Sequence, residues 1–311
     1  MADNKVMIST TTFGGCDKKP FDILRDAGLS VTLNPFGRTL KEIEIKGLIK
    51  DVDFLIAGTE ALSRDVLESA KKLKVISRCG GGTDNVDLKA AKELGIKVFN
   101  TPDAPVIAVA ELSIGLILSL LRKVSRMNAA IQNGKWEKLM GNLLYKKRVG
   151  IKGFGRIGKK VAELLMPFSC EIAYADPFVE DGQLGLRRLS LEELLGWADI
   201  VSVHVSTNET LIGKNEFKFM KKGAWLINVS RGGVVDEAIL YDYLKNGALS
   251  GAALDVFAEE PYTGPLKELN NIILTPHIGS YAREARMEME IETVENLLKG
   301  LGDCDVQELR N

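Results

Sequence analysis

Arg148-Val-Gly-Ile-Lys152-Gly153-Phe154-Gly155-Arg156-Ile157-Gly158 is the stretch on which the fold turns. A short, partly apolar run leads into three glycines spaced Gly-x-Gly-x-x-Gly. Ile157 to Leu165 then reads as a helix, and Glu171-Ile-Ala-Tyr-Ala175 as a second strand closed by Asp176, eighteen residues past Gly158. Strand, tight turn, helix, strand and acid, in that order, describe a dinucleotide site. Gly153 permits the turn, Gly155 lets backbone approach a pyrophosphate, and Gly158 allows the helix to pack closely on the strand. The helix N-terminus supplies N–H donors and a positive dipole end. Asp176 bears on which dinucleotide. A carboxylate there accepts hydrogen bonds from both ribose hydroxyls and repels a 2′-phosphate. Pro177 and Phe178 follow with no adjacent arginine, so the sequence predicts NAD(H) over NADP(H). Lys152 is an oddity where apolar residues usually finish the strand; its head has two destinations, solvent or the phosphates, and the sequence does not choose.

Outward from this unit, β-like runs and helices alternate. Before it come Val6 to Thr10, Ser30 to Leu33, Asp53 to Ala57, Lys74 to Arg78 and Ile96 to Asn100, separated by helical stretches around Pro20–Ala27, Leu40–Ile49, Arg64–Lys72 and Asp87–Leu94. After it come Ile200 to Val205, Ala224 to Asn228, Gly251 to Leu254 and Ile272 to Thr275. Alternation of this kind predicts α/β architecture with two doubly wound parallel sheets. The fingerprint sits mid-chain, so the first domain is expected to begin and end the sequence. Residues 1–98 with 280–311 form it, and residues 99–279 form the nucleotide domain. Ligands are expected in a cleft between the two, at the carboxyl ends of the strands. Past Gly279, Met287, Ile291, Val294, Leu298 and Leu301 recur at helical spacing along one face.

The chain has 311 residues, 45% apolar and 27% charged, with 41 basic against 42 acidic side chains. That balance suits a soluble globular protein and suggests neither a nucleic-acid nor a membrane partner. Cys16, Cys79, Cys170 and Cys304 form no CxxC pair, which fits reduced thiols in a cytoplasm and offers no metal site. Met1 to Lys5 is polar and followed by too short an apolar stretch for a secretory signal. Pro105 to Leu121, the longest apolar run, carries Glu111 and two serines and reads as a buried helix. Arg122, Lys123 and Arg126 suit its C-terminus.

Two histidines narrow the search for an acid–base group. His204 alternates with Val203 and Val205 in an apolar strand and reads as a hydrogen-bonded buried histidine. His277 follows a strand end in Thr275-Pro-His-Ile-Gly279, where the chain crosses between domains, and reads as functional. Glu260, in Asp255-Val-Phe-Ala-Glu-Glu-Pro261, could orient an imidazole and raise its pKa as a buried carboxylate; alone it reads as a solvated loop charge. Asp255 has two open readings, a contact with the nicotinamide amide or a cap on its own loop. Arg231, before Gly232 and Gly233, carries a fork suited to a carboxylate or keto acid, or is simply exposed. Gly80-Gly81-Gly82 could present N–H groups to an anion or form a plain turn. Arg78 and Cys79 flank it, and a bound substrate is expected to shield Cys79 from alkylation.

Together these residues resemble the D-isomer-specific 2-hydroxyacid dehydrogenases, in particular the D-3-phosphoglycerate dehydrogenase-like branch. The resemblance rests on six blocks in order: residues 80 to 86, 100 to 102, 153 to 158, 228 to 236, 253 to 261 and 275 to 279. It implies a Rossmann NAD-binding domain inserted into a flavodoxin-like substrate-binding (lid) domain. It implies catalysis by Arg231, Glu260 and His277, with Arg231 orienting carboxylate and keto oxygen and His277 moving the proton. It places the substrate carboxylate on Gly80, Gly81 and Gly82 beside Arg78, and the nicotinamide carboxamide on Asp255. Arg156, Ile157, Val205, Ser230, Gly232 and Gly279 would line NAD with Gly153, Gly155, Gly158 and Asp176. The family implies a homodimer, through an arm spanning residues 122 to 145. The expected reaction interconverts 3-phosphoglycerate and 3-phosphohydroxypyruvate in serine biosynthesis. Two departures keep a glyoxylate- or hydroxypyruvate-type reductase open: Ala57-Gly-Thr-Glu60 stands where a phosphate-binding arginine is usual, and Asp103-Ala-Pro105 stands where Asn-Gly-Asn is frequent. The regulatory domain of longer members is absent from the sequence, so serine feedback through it is not expected. An NAD(H)-sensing binding protein is the reading of another class.

Overall fold

The computed structural model describes residues 4–308, with side chains to residue 302, so Met1–Asp3 and the Cys304 side chain fall outside the described residues. The chain forms two compact units, Met1–Pro105 with Ser280–Asn311, and Val106–Gly279.

The first unit runs β1 (Lys5–Ile8), α1 (Lys19–Asp26), β2 (Ser30–Leu33), α2 (Glu42–Leu48), β3 (Phe54–Ala57), α3 (Arg64–Ser69), β4 (Val75–Arg78), α4 (Leu88–Glu93) and β5 (Lys97–Asn100). The strands are parallel in the order β2-β1-β3-β4-β5. Alternation along them feeds two cores: Val6, Ile8, Phe54, Ile56 and Val75 on one face, Met7, Leu55, Ala57 and Ile76 on the other. Strands covered on both faces need apolar residues at every position, which is why β3 reads Phe-Leu-Ile-Ala. Ser63 and Asp87 start α3 and α4 by accepting from Val66 N and Ala90 N. Residues 98 and 99 lie inside β5, which pairs with β4, so the units part at Pro105 and Val106.

The second unit runs α5 (Val106–Arg122), α6 (Val124–Gln132), β6 (Arg148–Lys152), α7 (Arg156–Leu165), β7 (Glu171–Ala175), β8 (Arg187–Arg188), α8 (Leu191–Trp197), β9 (Ile200–Val203), β10 (Trp225–Asn228), α9 (Glu237–Lys245), β11 (Gly251–Leu254) and β12 (Ile272–Leu274). Its parallel sheet has the order β12-β11-β10-β9-β6-β7-β8. The chain winds outward from β6 to β8, returns to the other side of β6 as β9, and winds on to β12. The switch between β6 and β9 is where a doubly wound sheet opens a crevice at its carboxyl edge. Val149, Ile151, Tyr174 and Ile227 pack against α5 and α7; Val201, Leu226, Ala252 and Leu254 fill the opposite face. α5 is the expected buried helix. Arg126, however, lies in α6, because Lys123 turns left-handed (φ 54°) and a new helix starts after it. No helix among the described residues is long and apolar enough to cross a membrane.

α10 (Arg283–Glu308) returns to the first unit. Its buried face differs from the one that spacing predicts. Arg286, Met289, Glu290, Thr293, Val294 and Leu297 are buried, while Met287, Ile291 and Leu298 are only half-buried. Arg286 and Glu290 pair at 2.8 Å, Arg286 also reaches Thr12 Oγ1, and Glu290 accepts from Gly14 N. A buried ion pair, hydrogen-bonded to its surroundings except at Arg286 Nε, lets charged residues take core positions that an apolar pattern assigns elsewhere.

Candidate functional site

In the second unit, Gly153 has φ +89°, and a Cβ there would press into the His204 carbonyl. A Cβ at Gly158 would strike the Gly153 carbonyl. Both glycines are therefore required by the protein's own backbone. Gly155 is different: nothing lies within 4 Å of where its Cβ would be, and the residue caps the N-terminus of α7. That open cradle, beside a helix N-terminus, fits an approaching pyrophosphate. Arg156 is exposed and Ile157 half-buried in the first turn of α7, while Val205 borders Gly153. Asp176 follows β7 and accepts from Phe154 N (2.7 Å) and Phe178 N (2.8 Å). The acid thus ties the glycine turn to the end of the neighbouring strand and holds a carboxylate where a ribose would lie. These residues fit NAD.

Lys152, the charge before the glycine turn, lies mostly buried. It is only 8% exposed, its carbonyl accepts from His204 N, and burial pulls its ammonium pKa down while the Asp176 charge opposes this. Arg188 is a neighbour of this region that the sequence order does not reveal. No arginine is adjacent to Asp176 in sequence, yet β8 brings the Arg188 guanidinium to the Pro177 carbonyl at 3.5 Å. A two-residue strand eleven positions on carries no pattern that would have revealed this.

The loops after β10, β11 and β12 converge because these strands are neighbours. Gly232 has no room for a Cβ, which would meet the Phe257 carbonyl, so the Arg231 loop lies directly on the loop bearing Glu260. Asn228 shapes the turn, accepting from Ser230 N and Oγ and donating to the Arg231 carbonyl. Arg231 is half-buried with one guanidinium nitrogen 2.8 Å from the Ser230 carbonyl. Asp255 is buried and accepts from Thr275 Oγ1 (2.6 Å), Ile278 N (2.9 Å) and Gly279 N (2.8 Å). Of its two open readings, the loop cap is therefore seen directly. Burial pushes its carboxyl pKa up, and the Thr275 and backbone hydrogen bonds only partly oppose that.

His277 sits in the loop that Asp255 holds, at φ 53°, a conformation that non-glycine residues seldom adopt. Its Nδ1 is 2.9 Å from Glu260 Oε2, and Phe257 N donates to Glu260 Oε1. Burial works to raise the Glu260 carboxyl; the hydrogen bond and charge of His277 outweigh it, so the pKa is lowered. The pair is more open than the expected buried carboxylate, with side chains 45% and 37% exposed. With Nδ1 engaged, Nε2 is the ring nitrogen left to exchange a proton with a ligand. His204, by contrast, is buried against Ser202 Oγ (2.8 Å from Nε2), and desolvation pushes its pKa down to about 3.

In the first unit, Gly80 has φ +146°, and a Cβ there would collide with the Arg78 guanidinium folded beneath it. Gly80 N donates to Thr101 Oγ1 at 2.8 Å, so of the expected three-glycine cradle only Gly81 and Gly82 keep N–H groups for an anion. Cys79 is buried and desolvation raises its thiol pKa, which leaves nothing for a substrate to shield. Glu60 is the residue that sequence reasoning passed over except as part of a departure. It is buried in the loop after β3, accepting from the Ser9 hydroxyl and from Gly58 N (3.2 Å). Asn85 fixes the same loop through the Gly58 and Glu60 carbonyls.

Three likenesses bear on this geometry. The chain is 38% identical to hydroxypyruvate reductase of Thermotoga maritima over 85% of its own length and 89% of that protein. It is 37% identical to D-3-phosphoglycerate dehydrogenase of Archaeoglobus fulgidus over 91% of its length, but spans only 56% of that relative. The TT0316 protein of Thermus thermophilus superposes with a TM-score of 0.90 at 36% identity, covering 96% of this chain and 97% of that one. Residues 114–279 match the model of the D-isomer specific 2-hydroxyacid dehydrogenase NAD binding domain. The chain belongs to the D-isomer specific 2-hydroxyacid dehydrogenases, NAD-binding oxidoreductases.

Proposed function

We propose that this protein interconverts a small unphosphorylated D-2-hydroxy acid and its 2-keto acid, of the hydroxypyruvate or glyoxylate type, with NAD(H). The chemistry rests on the His277–Glu260 pair. Glu260 holds the Nδ1 side of the ring, so Nε2 can give a proton to the keto oxygen in reduction and take it back in oxidation. NADH supplies the hydride. Arg231, kept against the Glu260 loop by Gly232, orients the substrate's carboxylate and keto oxygen through its fork. Asp255 serves by pinning the loop that carries His277, and its carboxamide role is the additional expectation.

The substrate class rests on residues 57 to 60. A phosphorylated substrate asks for a cation where the β3 loop ends; this loop has Gly58 and, two residues on, a buried carboxylate with no ion-pair partner among the described residues. Glu60 disfavours a phosphate or second carboxylate and suits a hydroxyl donor. This moves the reading from 3-phosphohydroxypyruvate, expected from the sequence, to hydroxypyruvate or glyoxylate. We also read the chain as a homodimer in the cytoplasm. The support is the arm of residues 122 to 145, where Trp136 and Met140 stand 81% and 88% exposed.

The test is initial-rate NADH oxidation with phosphohydroxypyruvate, hydroxypyruvate, glyoxylate, pyruvate and 2-oxoglutarate. An unphosphorylated acid leading in kcat/KM supports the reading. Phosphohydroxypyruvate ahead by about a hundredfold overturns the substrate class. Silence across the panel, with NADH bound, overturns the enzymatic assignment in favour of a dinucleotide-dependent binding protein.

A further inference from the structure

Arg286 and Glu290 form a buried ion pair in the first unit for which the proposed reaction has no use. Their side chains are 8% and 1% exposed and 2.8 Å apart on successive turns of α10. A buried pair seldom adds stability over apolar residues of similar volume, and Arg286 Nε is left buried without a hydrogen bond, which weakens the case further. What the pair does hold is one loop. Glu290 Oε2 accepts from Gly14 N at 2.8 Å and Arg286 donates to Thr12 Oγ1 at 2.7 Å, so the β1–α1 loop is tied to α10 at two points. Gly14 takes its place at φ +69°, where a Cβ would collide with the Phe21 ring. Phe13, between the two tethers, is buried in the core that α10 shares. The same loop begins at Ser9, directly after β1. The Ser9 hydroxyl bonds to Glu60 Oε1 and lies 3.0 Å from the Ile56 carbonyl, and Gly58 N donates to Ser9 Oγ and to Glu60 Oε1, each at 3.2 Å. Glu60 Oε1 is thereby engaged twice, while Oε2 has no hydrogen-bond partner among the described residues. One short loop therefore carries both the tether to α10 and the hydroxyl that aims the Glu60 carboxylate.

We propose that Arg286 and Glu290 are positioning residues for substrate specificity: by fixing the β1–α1 loop at Thr12 and Gly14 they hold Ser9 so that Glu60 offers Oε2 to the substrate's hydroxyl. The inference rests on the reading of Glu60 as acceptor for a hydroxyl-bearing keto acid, and it adds the residues that aim that acceptor. Hydroxypyruvate and pyruvate differ by one hydroxyl, so the ratio of their kcat/KM values reports the Glu60 contact. A carboxylate oxygen displaced by about 1 Å leaves hydrogen-bond range, whereas the carboxylate and keto ends of the substrate keep their partners. Loosening the loop therefore acts on KM for hydroxypyruvate more than on kcat, and hardly at all on pyruvate.

The experiment compares the wild type with the double variant Arg286→Met/Glu290→Leu in rates on hydroxypyruvate and pyruvate, in Tm, and in amide hydrogen exchange at Gly14 and Gly58. Apolar side chains fill the same space, so Tm should stay within about two degrees of the wild type. The hydroxypyruvate-to-pyruvate ratio of kcat/KM should fall by about tenfold, mostly through KM, with NADH affinity unchanged. Exchange should quicken at Gly58 as well as at Gly14, although Gly58 bonds to neither replaced residue. Thr12→Val removes one tether at a half-buried position and should lower the ratio by about threefold, while Thr12→Ser keeps the hydroxyl and should recover it. These single changes cover the case in which the double variant does not fold. Equal losses on both acids, an unchanged ratio in Thr12→Val, or exchange that quickens at Gly14 alone overturns the proposal and leaves the Glu60 reading standing. A wild type that does not favour hydroxypyruvate over pyruvate overturns the Glu60 reading and the proposal with it, before any variant is made.

Discussion

His204 and His277 show how one residue type is put to two uses by its surroundings. His204 is sealed in the second unit's sheet, with Ser202 as partner to one ring nitrogen and no partner for the other. Its pKa falls from 6.5 to about 3 on folding, so between those values the unfolded chain holds the extra proton. The stability it contributes is complete above pH 6.5 and lost as pH drops toward 3. The slope is about 1.4 kcal/mol per pH unit once well below 6.5. Urea unfolding at about pH 6 and about pH 5 should show the wild type losing more stability than His204→Gln by about this amount. Equal losses in the two proteins would remove His204 as the cause. At His277 the expectation is kinetic. His277→Ala should lower kcat by about 10²–10⁴-fold with little change in NADH affinity, read by steady-state rates beside a binding titration. A variant within about threefold of the wild type would show that the proton is handled elsewhere.

At the scale of elements, the glycine turn and the three loops beyond β10, β11 and β12 carry the site. Gly158→Ala and Gly155→Ala separate what the fold needs from what the ligand needs. The Gly158 variant has to push its Cβ against the Gly153 carbonyl and should lower Tm by several degrees. The Gly155 variant enters open space and should melt within about a degree or two of the wild type, while its NADH affinity drops by about tenfold or more. Most elements were legible because their signals are local: alternating strand and helix, the spaced glycines, the apolar run of α5. β8 was not, since two exposed arginines have no apolar face to betray a strand. The polar half of α10 was not, since the Arg286–Glu290 pair forms only with Thr12 and Gly14, more than 270 residues away in sequence. Of the site, the trio Arg231, Glu260 and His277 was named from the blocks that carry them. What sequence could not supply were facts of pairing: the Gly80 N–H taken by Thr101, the burial of Cys79, and the carboxylate of Glu60.

For the whole molecule, assembly is the open quantity. The arm displays Val124, Ile131, Trp136, Met140, Leu143 and Tyr145, all more than half exposed. Trp136→Asp combined with Met140→Lys should convert a dimer to a monomer by light scattering coupled to size exclusion. A wild type already monomeric at micromolar concentration would retire the dimer reading. The arrangement of α10 bears on something else, the order in which the chain becomes protein during synthesis. Val6, Ile8, Phe54, Ile56 and Val75 form one face of the first sheet, and Met289, Val294 and Leu297 of α10 belong to the same core. Residues 106–279 are made in between and hold their own two cores. On the ribosome, the unit translated second is thus the first that can close, while the earlier strands wait with one greasy side bare until α10 emerges. Nascent chains held at the stage where residue 279 has emerged and α10 is still inside the ribosome should resist protease over the NAD-binding unit and be cut in the opening hundred residues, the stretch that chaperones would have to guard.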